Sequence, residues 1–359
     1  MTKTIDLSPF LPSRLPGPVC RQGEFIFAAA YLDHGHIVSM CQELVKAGGT
    51  LRYIHGTDQT HIRNMKAFAP EARVVERFEQ VLDDREVRLV ASAGVPNERG
   101  PIGVRVMRAG KDYFVDKTPF TTLAQLDEAR RVVKETGRIF AVYYGERLQS
   151  ESGMLAGSLI ERGLIGRVVQ VMGLGPHRLN ALARADWFFD KPRYGGILTD
   201  IGSHQCEQFL AYTGATDATI GFARAGNFNN PAYPGLEDFG EASLVGDNGT
   251  SGYFRVDWFT PDGLRTWGDG RTLVLGTDGY IELRKYVDVA TDNDADQLIL
   301  VNKEGEGRLA CQGKIGFPYF GQLIRDSLDR TETAMKQSHT FKAAELCLKA
   351  QALADSRRL

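Results

Sequence analysis

In the stretch GGILTDIGSHQCEQFL, residues 195–210, an aspartate and a histidine stand four apart: Asp200 and His204. On a helix that spacing puts both on one face, a single turn from each other. A carboxylate beside an imidazole orients the ring and favours its charged form, while a helix N-terminus opposes added positive charge. The pairing predicts an imidazole poised near neutral pH and able to move protons. The competing reading makes Asp200 a helix cap and His204 a packed core or surface residue. Upstream, FVDKTPF (Phe114–Phe120) places Lys117 at the end of an apolar run. Burying that ammonium requires a partner, either Asp116 or a ligand. A surface lysine at a strand terminus is the alternative.

These groups need a scaffold, and the first part of the chain supplies one by alternation. Short apolar runs at Phe25–Ala30, Leu51–Ile54, Arg73–Val75, Val87–Ala93, Tyr113–Val115 and Ile139–Tyr143 read as strands. The segments between them read as helices. Ile37–Ala47 turns Ile37, Met40, Cys41, Leu44 and Val45 to one side and stops at Gly48. Leu123–Thr136 has a capping box, Thr122 with Gln125, and closes at Gly137. The alternation predicts an α/β protein with a Rossmann-like, doubly wound parallel sheet, whose ligands bind beyond the carboxyl ends of the strands. The expected division is a Rossmann-like dinucleotide-binding domain with an N-terminal arm at 1–145, then a substrate-binding and oligomerisation domain at 146–359.

The first strand–helix turn, AAAYLDHGHI, has one glycine where G-x-G-x-x-G is usual. Tyr31, Asp33 and His36 stand at the glycine spacing, with His34 and Gly35 among them. The helix start at His34–Ile37 still offers N–H groups to a phosphate, although Asp33 repels one unless it points away. Asp58, after the second strand, is a candidate for a ribose hydroxyl, a few residues late for the usual acid. Pro96 and Asn97 open a helix just past another strand end.

Beyond Tyr144–Arg147, a helix over Ser152–Glu161 leads to a strand at Arg167–Gly173 and a long polar loop ahead of Asp200. His177, Arg178, Asn180, Trp187 and Arg193 in that loop suit a polyhydroxylated ligand, with one sugar face stacked on Trp187. Tyr144 and Arg147 are further candidate substrate contacts. A solvated loop is the alternative, against which Trp-Phe-Phe at 187–189 argues. After Gly214 the period falls to two. Runs at Ala218–Ala225, Gly240–Gly246, Gly252–Phe259, Thr272–Leu275, Tyr280–Tyr286 and Gln297–Val301 predict an antiparallel meander of five or six strands. The second domain is thus α+β, with a large open, mostly antiparallel sheet. One face covers helices; the other predicts a homo-oligomer, dimer or tetramer, through sheet packing. A closing helix at Ala343–Ala354 can pack on either domain.

A formal net charge of −2 gives no electrostatic reason to expect nucleic acid or an anionic membrane as partner. No apolar run approaches the ~20 residues of a membrane span, and the N-terminus lacks an apolar signal core. Its prolines read as an extended arm, laid over the body or loose. Five scattered cysteines without a CxxC argue against a disulfide framework or a zinc site, and no metal is expected; a reducing cytoplasm fits.

The order Pro96-Asn97, then DKTP with Lys117, then GGILTDIGSHQCEQF with Asp200 and His204, then an open sheet, resembles the glucose–fructose oxidoreductase / inositol dehydrogenase (Gfo/Idh/MocA) family over nearly the full length. The resemblance implies an NAD(P)-dependent dehydrogenase acting on a sugar, polyol or glycoside. It makes Lys117 the catalytic lysine, His204 the acid/base residue and Asp200 its partner acid. The chain departs from the family in its glycine turn and in Thr118 between Lys117 and Pro119. NAD is expected ahead of NADP, because no arginine lies on the turn that bears Asp58. A redox-assisted lyase or hydrolase with retained NAD, and a non-catalytic sugar or nucleotide sensor, are the alternatives.

Overall fold

The computed structural model describes residues 3–291 and 295–356. The run IFAAA is apolar throughout, and it becomes β1 (Ile26–Ala30), buried along its whole length, as a strand covered by helices on both faces must be. With β2 (Thr50–His55), β3 (Arg73–Val75), β4 (Val87–Ser92), β5 (Asp112–Asp116) and β6 (Phe140–Tyr143) it forms a six-stranded sheet in the order β3-β2-β1-β4-β5-β6. All its pairings are parallel, the doubly wound arrangement. The connecting helices are α1 (His36–Lys46), α2 (Gln59–Phe68), α3 (Glu79–Asp83), α4 (Pro96–Arg108) and α5 (Leu123–Thr136). Thr122 caps α5 by accepting from the Gln125 N–H, and Gly137 closes it in the left-handed conformation.

After α6 (Gly145–Leu148) and α7 (Glu151–Glu161) the chain builds an eight-stranded sheet. Its strands are β7 (Val168–Pro176), β8 (Ala218–Gly226), β9 (Phe239–Gly246), β10 (Ser251–Asp257), β11 (Arg271–Gly276), β12 (Gly279–Arg284), β13 (Gln297–Asn302) and β14 (Gly305–Ala310). The expected single meander is corrected. β7 lies at the centre, parallel to β10 and antiparallel to β11, and splits the remainder into two antiparallel runs. Local periodicity could not show this, because the strand that divides the meander precedes it by about forty residues.

Three helices, α8 (Lys191–Tyr194), α9 (Ile197–Asp200) and α10 (Gly202–Thr213), follow β7, and α10 packs on β7, β9 and β10. The opposite face leaves Met172, Phe222, Val245, Leu275 and Tyr280 exposed. The chain then returns through α11 (Pro318–Asp329), which meets α1, and α12 (Gln337–Ser356). The closing helix packs on both parts: α12 touches β8, α9 and α10 on one side and α5 and β6 on the other. The N-terminal arm is laid over the body. Ile5 N–H donates to the Glu306 carbonyl (2.9 Å) and Val19 N–H to the Ala47 carbonyl (2.9 Å). Among the described residues no helix is long and apolar enough to cross a membrane.

Candidate active site

The buried strand β5 delivers Lys117 into the gap between the two sheets, and α9 brings Asp200 to meet it. Lys117 Nζ lies 2.7 Å from Asp200 Oδ1, and both side chains are nearly inaccessible. Asp116 is therefore not the partner of Lys117. Its carboxylate takes His36 Nδ1 at 2.9 Å and the Arg99 guanidinium at 3.1 Å, with His34 Nδ1 3.4 Å away. Burial opposes ionisation of Asp116, but His36 and Arg99 outweigh it and hold the carboxyl well below its ordinary range. Arg99, fully buried on α4, also donates to the carbonyls of Gly94 (2.7 Å) and Lys117. It fixes the two turns on which Asn97 and Lys117 stand.

His204 sits one turn beyond Asp200, as the spacing predicts, yet the two do not pair. Asp200 is committed to Lys117, and His204 Nδ1 is buried without a hydrogen-bond partner among the described residues. Burial pushes the imidazole down to about 3, with Lys117 and His177 adding to the effect and Glu146 opposing it. The expected poise near neutral pH is corrected: this is a neutral histidine, and the carboxylate that most favours its charged form is Glu146.

Glu146, at the start of α6, is the residue that sequence reasoning missed. Its Oε2 accepts from Gln205 Nε2 (2.8 Å) and Gln208 Nε2 (3.3 Å) and lies 3.4 Å from Lys285 Nζ. Its Oε1 is buried and unpaired. Burial raises this carboxyl, but Lys285, His204 and His177 together bring it down to about 2, so it is ionised at neutral pH. The signal was available, since an acid just past a fully apolar strand end is the same anomaly that singled out Lys117.

These groups line one cavity of about 380 Å³, shared by Lys117, His204, Glu146, His34, His36 and His177. His177 follows β7, with Trp267 at 4.6 Å and Trp258 at 5.4 Å between ring centres. Burial pushes its imidazole down to about 4, partly countered by Glu146. Arg178 and Asn180 also reach the wall, but Arg178 spends itself on the carbonyls of Pro261 (2.9 Å) and Leu264 (2.5 Å). Three expected contacts are corrected. Tyr144 turns inward to the Thr340 carbonyl (3.2 Å), Arg147 is held by Glu207, and Trp187 packs on Phe188. None of the three lines the cavity; Phe188, Trp258, Trp267 and Tyr286 supply its aromatic surface instead.

The first turn tests whether a dinucleotide fits. Tyr31 takes the left-handed conformation (φ 57°) that glycine usually provides there. Its ring packs edge-on against Phe78 (5.1 Å) and His55 (5.4 Å). A Cβ on Gly94 would lie 3.1 Å from Tyr31 Cβ and 3.8 Å from Asp33 Oδ2, so both side chains occupy the crevice between the β1 and β4 turns. Burial raises the Asp33 carboxyl. Three of the N–H groups expected of the helix start are already used. His34 N–H goes to the Ala93 carbonyl (3.0 Å), His36 N–H to His34 Nδ1 (3.3 Å) and Ile37 N–H to the His34 carbonyl (3.3 Å). Gly35 caps α1 in the ordinary right-handed region. Asp58 caps α2 through the His61 N–H (2.7 Å). The phosphate half of the crevice does not fit the group in the way the glycine turn provides. The other half does: Lys117 is in place, Pro96 opens α4, and Asn97 beside it keeps a buried, unpaired Oδ1.

Comparison with known proteins agrees with this architecture. The profile described as the GFO/IDH/MocA C-terminal domain matches residues 154–282. A crystal structure from Erwinia carotovora atroseptica, provisionally assigned as an oxidoreductase, is 48% identical over 92% of this chain and 98% of that one, with a TM-score of 0.89. Levoglucosan dehydrogenase, in complex with NADH and levoglucosan, has the same fold at 14% identity, covering 92% of this chain and 98% of its own, with a TM-score of 0.72. The uncharacterised oxidoreductase YdgJ of Escherichia coli K12 is 29% identical over 46% of this chain and 47% of its own. The chain thus spans about half the length of the curated relatives it matches.

Proposed function

The chain belongs to the GFO/IDH/MocA family of oxidoreductases, and from that premise we propose that it interconverts a secondary hydroxyl and a ketone on a sugar, polyol or glycoside, as an NAD(P)-dependent dehydrogenase. The observation that carries this reading is the convergence of the Lys117–Asp200 pair (2.7 Å) and His204 on one aromatic-lined cavity. Asp200 holds the Lys117 ammonium in place, where it can stabilise an alkoxide as it develops. His204 is neutral and can take the hydroxyl proton without first losing one. Glu146 favours the imidazolium so formed, the part expected of Asp200. Trp258, Trp267 and Phe188 offer faces to the ring, and His177 and Glu146 offer acceptors to hydroxyls. Asn97 and Lys117 are the groups placed to hold the dinucleotide, which supplies the hydride chemistry when bound. NAD is preferred to NADP on the absence of an arginine from the Asp58 turn.

The altered first turn leaves room for one second reading, a redox-assisted lyase or hydrolase with retained NAD, working in the same cavity. Native mass spectrometry and calorimetry with NAD and NADP, followed by single-turnover reduction on a panel of sugars and glycosides, test both. Dehydrogenation is expected, with His204→Ala slowed by about 10²–10⁴ at unchanged melting temperature. Glycoside cleavage without net NADH would establish the second reading instead. The division at 145/146 and a homo-oligomer assembled on the sheet face bearing Met172, Val245 and Leu275 belong to the same proposal. A monomer by light scattering at micromolar concentration would remove the assembly.

A further inference from the structure

We propose that His34, His36 and Asp116 form a binding site for a divalent transition-metal ion on the wall of the cavity. His34 and His36 come from the turn between β1 and α1, and Asp116 is the last residue of β5. The parallel sheet sets these strand ends side by side, and both imidazoles turn Nδ1 toward the one carboxylate; His34 Nδ1 also accepts from the His36 N–H (3.3 Å), a bond that ligation through this atom would replace. His36 Nδ1 lies 2.9 Å from Oδ1 and His34 Nδ1 3.4 Å from Oδ2. One donor atom from each of the three residues falls within 4.8 Å of the others. Around an ion with bonds of about 2.0–2.2 Å, neighbouring ligand atoms stand roughly 3 Å apart, so the set closes on an ion with small side-chain movements. Two imidazoles and a carboxylate on one side, with the other side open, suit zinc, iron(II), cobalt(II) or manganese(II) better than calcium.

The support around the three ligands fits the assignment. Arg99 donates to Asp116 Oδ2 at 3.1 Å and is itself anchored on the Gly94 carbonyl, which fixes the carboxylate and leaves Oδ1 toward His36. The His34 backbone is tied to Ala93 (3.0 Å). Charge does not forbid a cation here. Lys117 is balanced by Asp200, Arg99 by Asp116 and Lys285 by Glu146, so the surroundings of the three ligands are neutral. His34 and His36 share the cavity with Lys117 and His204, so the open coordination positions face the bound ligand. The ion would take a pair of oxygens, hydroxyl or carbonyl, from a polyhydroxylated molecule. The cysteine count that argued against zinc says nothing about such a site. The cue in the sequence was His-x-His after a strand, and its third ligand lies eighty residues away.

The test uses the full chain, stripped with chelator and titrated separately with cobalt(II), zinc(II) and manganese(II). Calorimetry gives stoichiometry, and cobalt(II) visible absorption reports nitrogen ligation. One ion per chain is expected for at least one metal. His34→Ala and His36→Ala should each weaken it by about 10-fold or more, while His339→Ala, outside the cluster, binds as the parent does. Circular dichroism identifies any variant that fails to fold, and the other histidine variant then decides. No binding of any of the three ions, or equal affinity in parent and histidine variants, would overturn the assignment and leave His36–Asp116 as a plain hydrogen bond. Metal affinity is read without turnover, so the result is independent of whether the dehydrogenase reading holds.

Discussion

The first turn and the cavity floor handle buried polar atoms in opposite ways. At the turn, Tyr31, His34, His36 and Ile37 bind their N–H groups to the chain itself. On the floor, His204 Nδ1 and Glu146 Oε1 are buried with no hydrogen-bond partner among the described residues. An unpaired buried polar group costs about 1–3 kcal/mol, so a fold retains one where something else pairs it in function. The contrast supports the proposal that the reacting ligand lies against His204 and Glu146. It also shows the turn, where this fold ordinarily grips a phosphate, knitted into the scaffold.

The largest expected effect is on stability against pH. His177 and His204 are held at about 4 and about 3 in the folded chain, against the ordinary 6.5. Below pH 6.5 the unfolded chain binds protons the folded one refuses, so stability falls as pH falls. Two such groups cost of order 5 kcal/mol between pH 6.5 and 4.5. Glu146, held at about 2, adds its own loss below about pH 4.5, with the same sign. Chemical denaturation across pH 4–8 should show a slope beginning above pH 6, and His204→Gln should roughly halve it. A stability curve flat from pH 7 to 5 would mean that the floor is open to water and the contrast false.

Next in size is Lys117→Met, which strands Asp200 in a buried site. Loss of about 3–5 kcal/mol is expected, with much of it recovered in Lys117→Met/Asp200→Leu. Urea unfolding of the single and double variants checks it. Loss of activity in the double variant, despite restored stability, would separate the chemistry of the pair from its packing.

The parallel sheet was legible because each strand is a continuous apolar run and each helix an amphipathic one, signals that need no distant partner. Lys117 was legible as an anomaly at the end of such a run, and His204 by its four-residue spacing from Asp200. Their partners were not. Asp200 pairs across 83 residues, and the central place of β7 depends on strands still to come in the chain. Tyr144 and Arg147 were picked for their chemistry, whereas the backbone turn at α6 points their neighbour Glu146 into the cavity. Direction at a strand end depends on such turns, and side-chain type does not reveal it.

A smaller effect is expected from Glu146→Gln. Removing the one carboxylate that favours charge on His204 should lower the imidazole's proton affinity by about tenfold. Histidine titration by NMR reads this directly. Activity should fall in proportion at each pH, with less change in substrate binding than in turnover. An unchanged His204 titration would return the role of partner acid to Asp200.

The smallest effect tests the turn side of the contrast. Asp58 was the sequence's candidate for a ribose hydroxyl, and the structure has it capping α2 with a 2.7 Å bond from the His61 N–H. Removing an N-cap acceptor typically costs about 1 kcal/mol, so Asp58→Ala should lower the urea midpoint slightly. Calorimetry with NAD should be unmoved, because the carboxylate's contact is with the chain itself. The two roles predict different pairs of readings. A cap loses stability and keeps affinity; a ribose ligand loses affinity well beyond what the small change in stability explains. If NAD affinity drops tenfold in a variant that melts like the parent, the second strand end holds nucleotide after all, and the closed first turn must open to admit it.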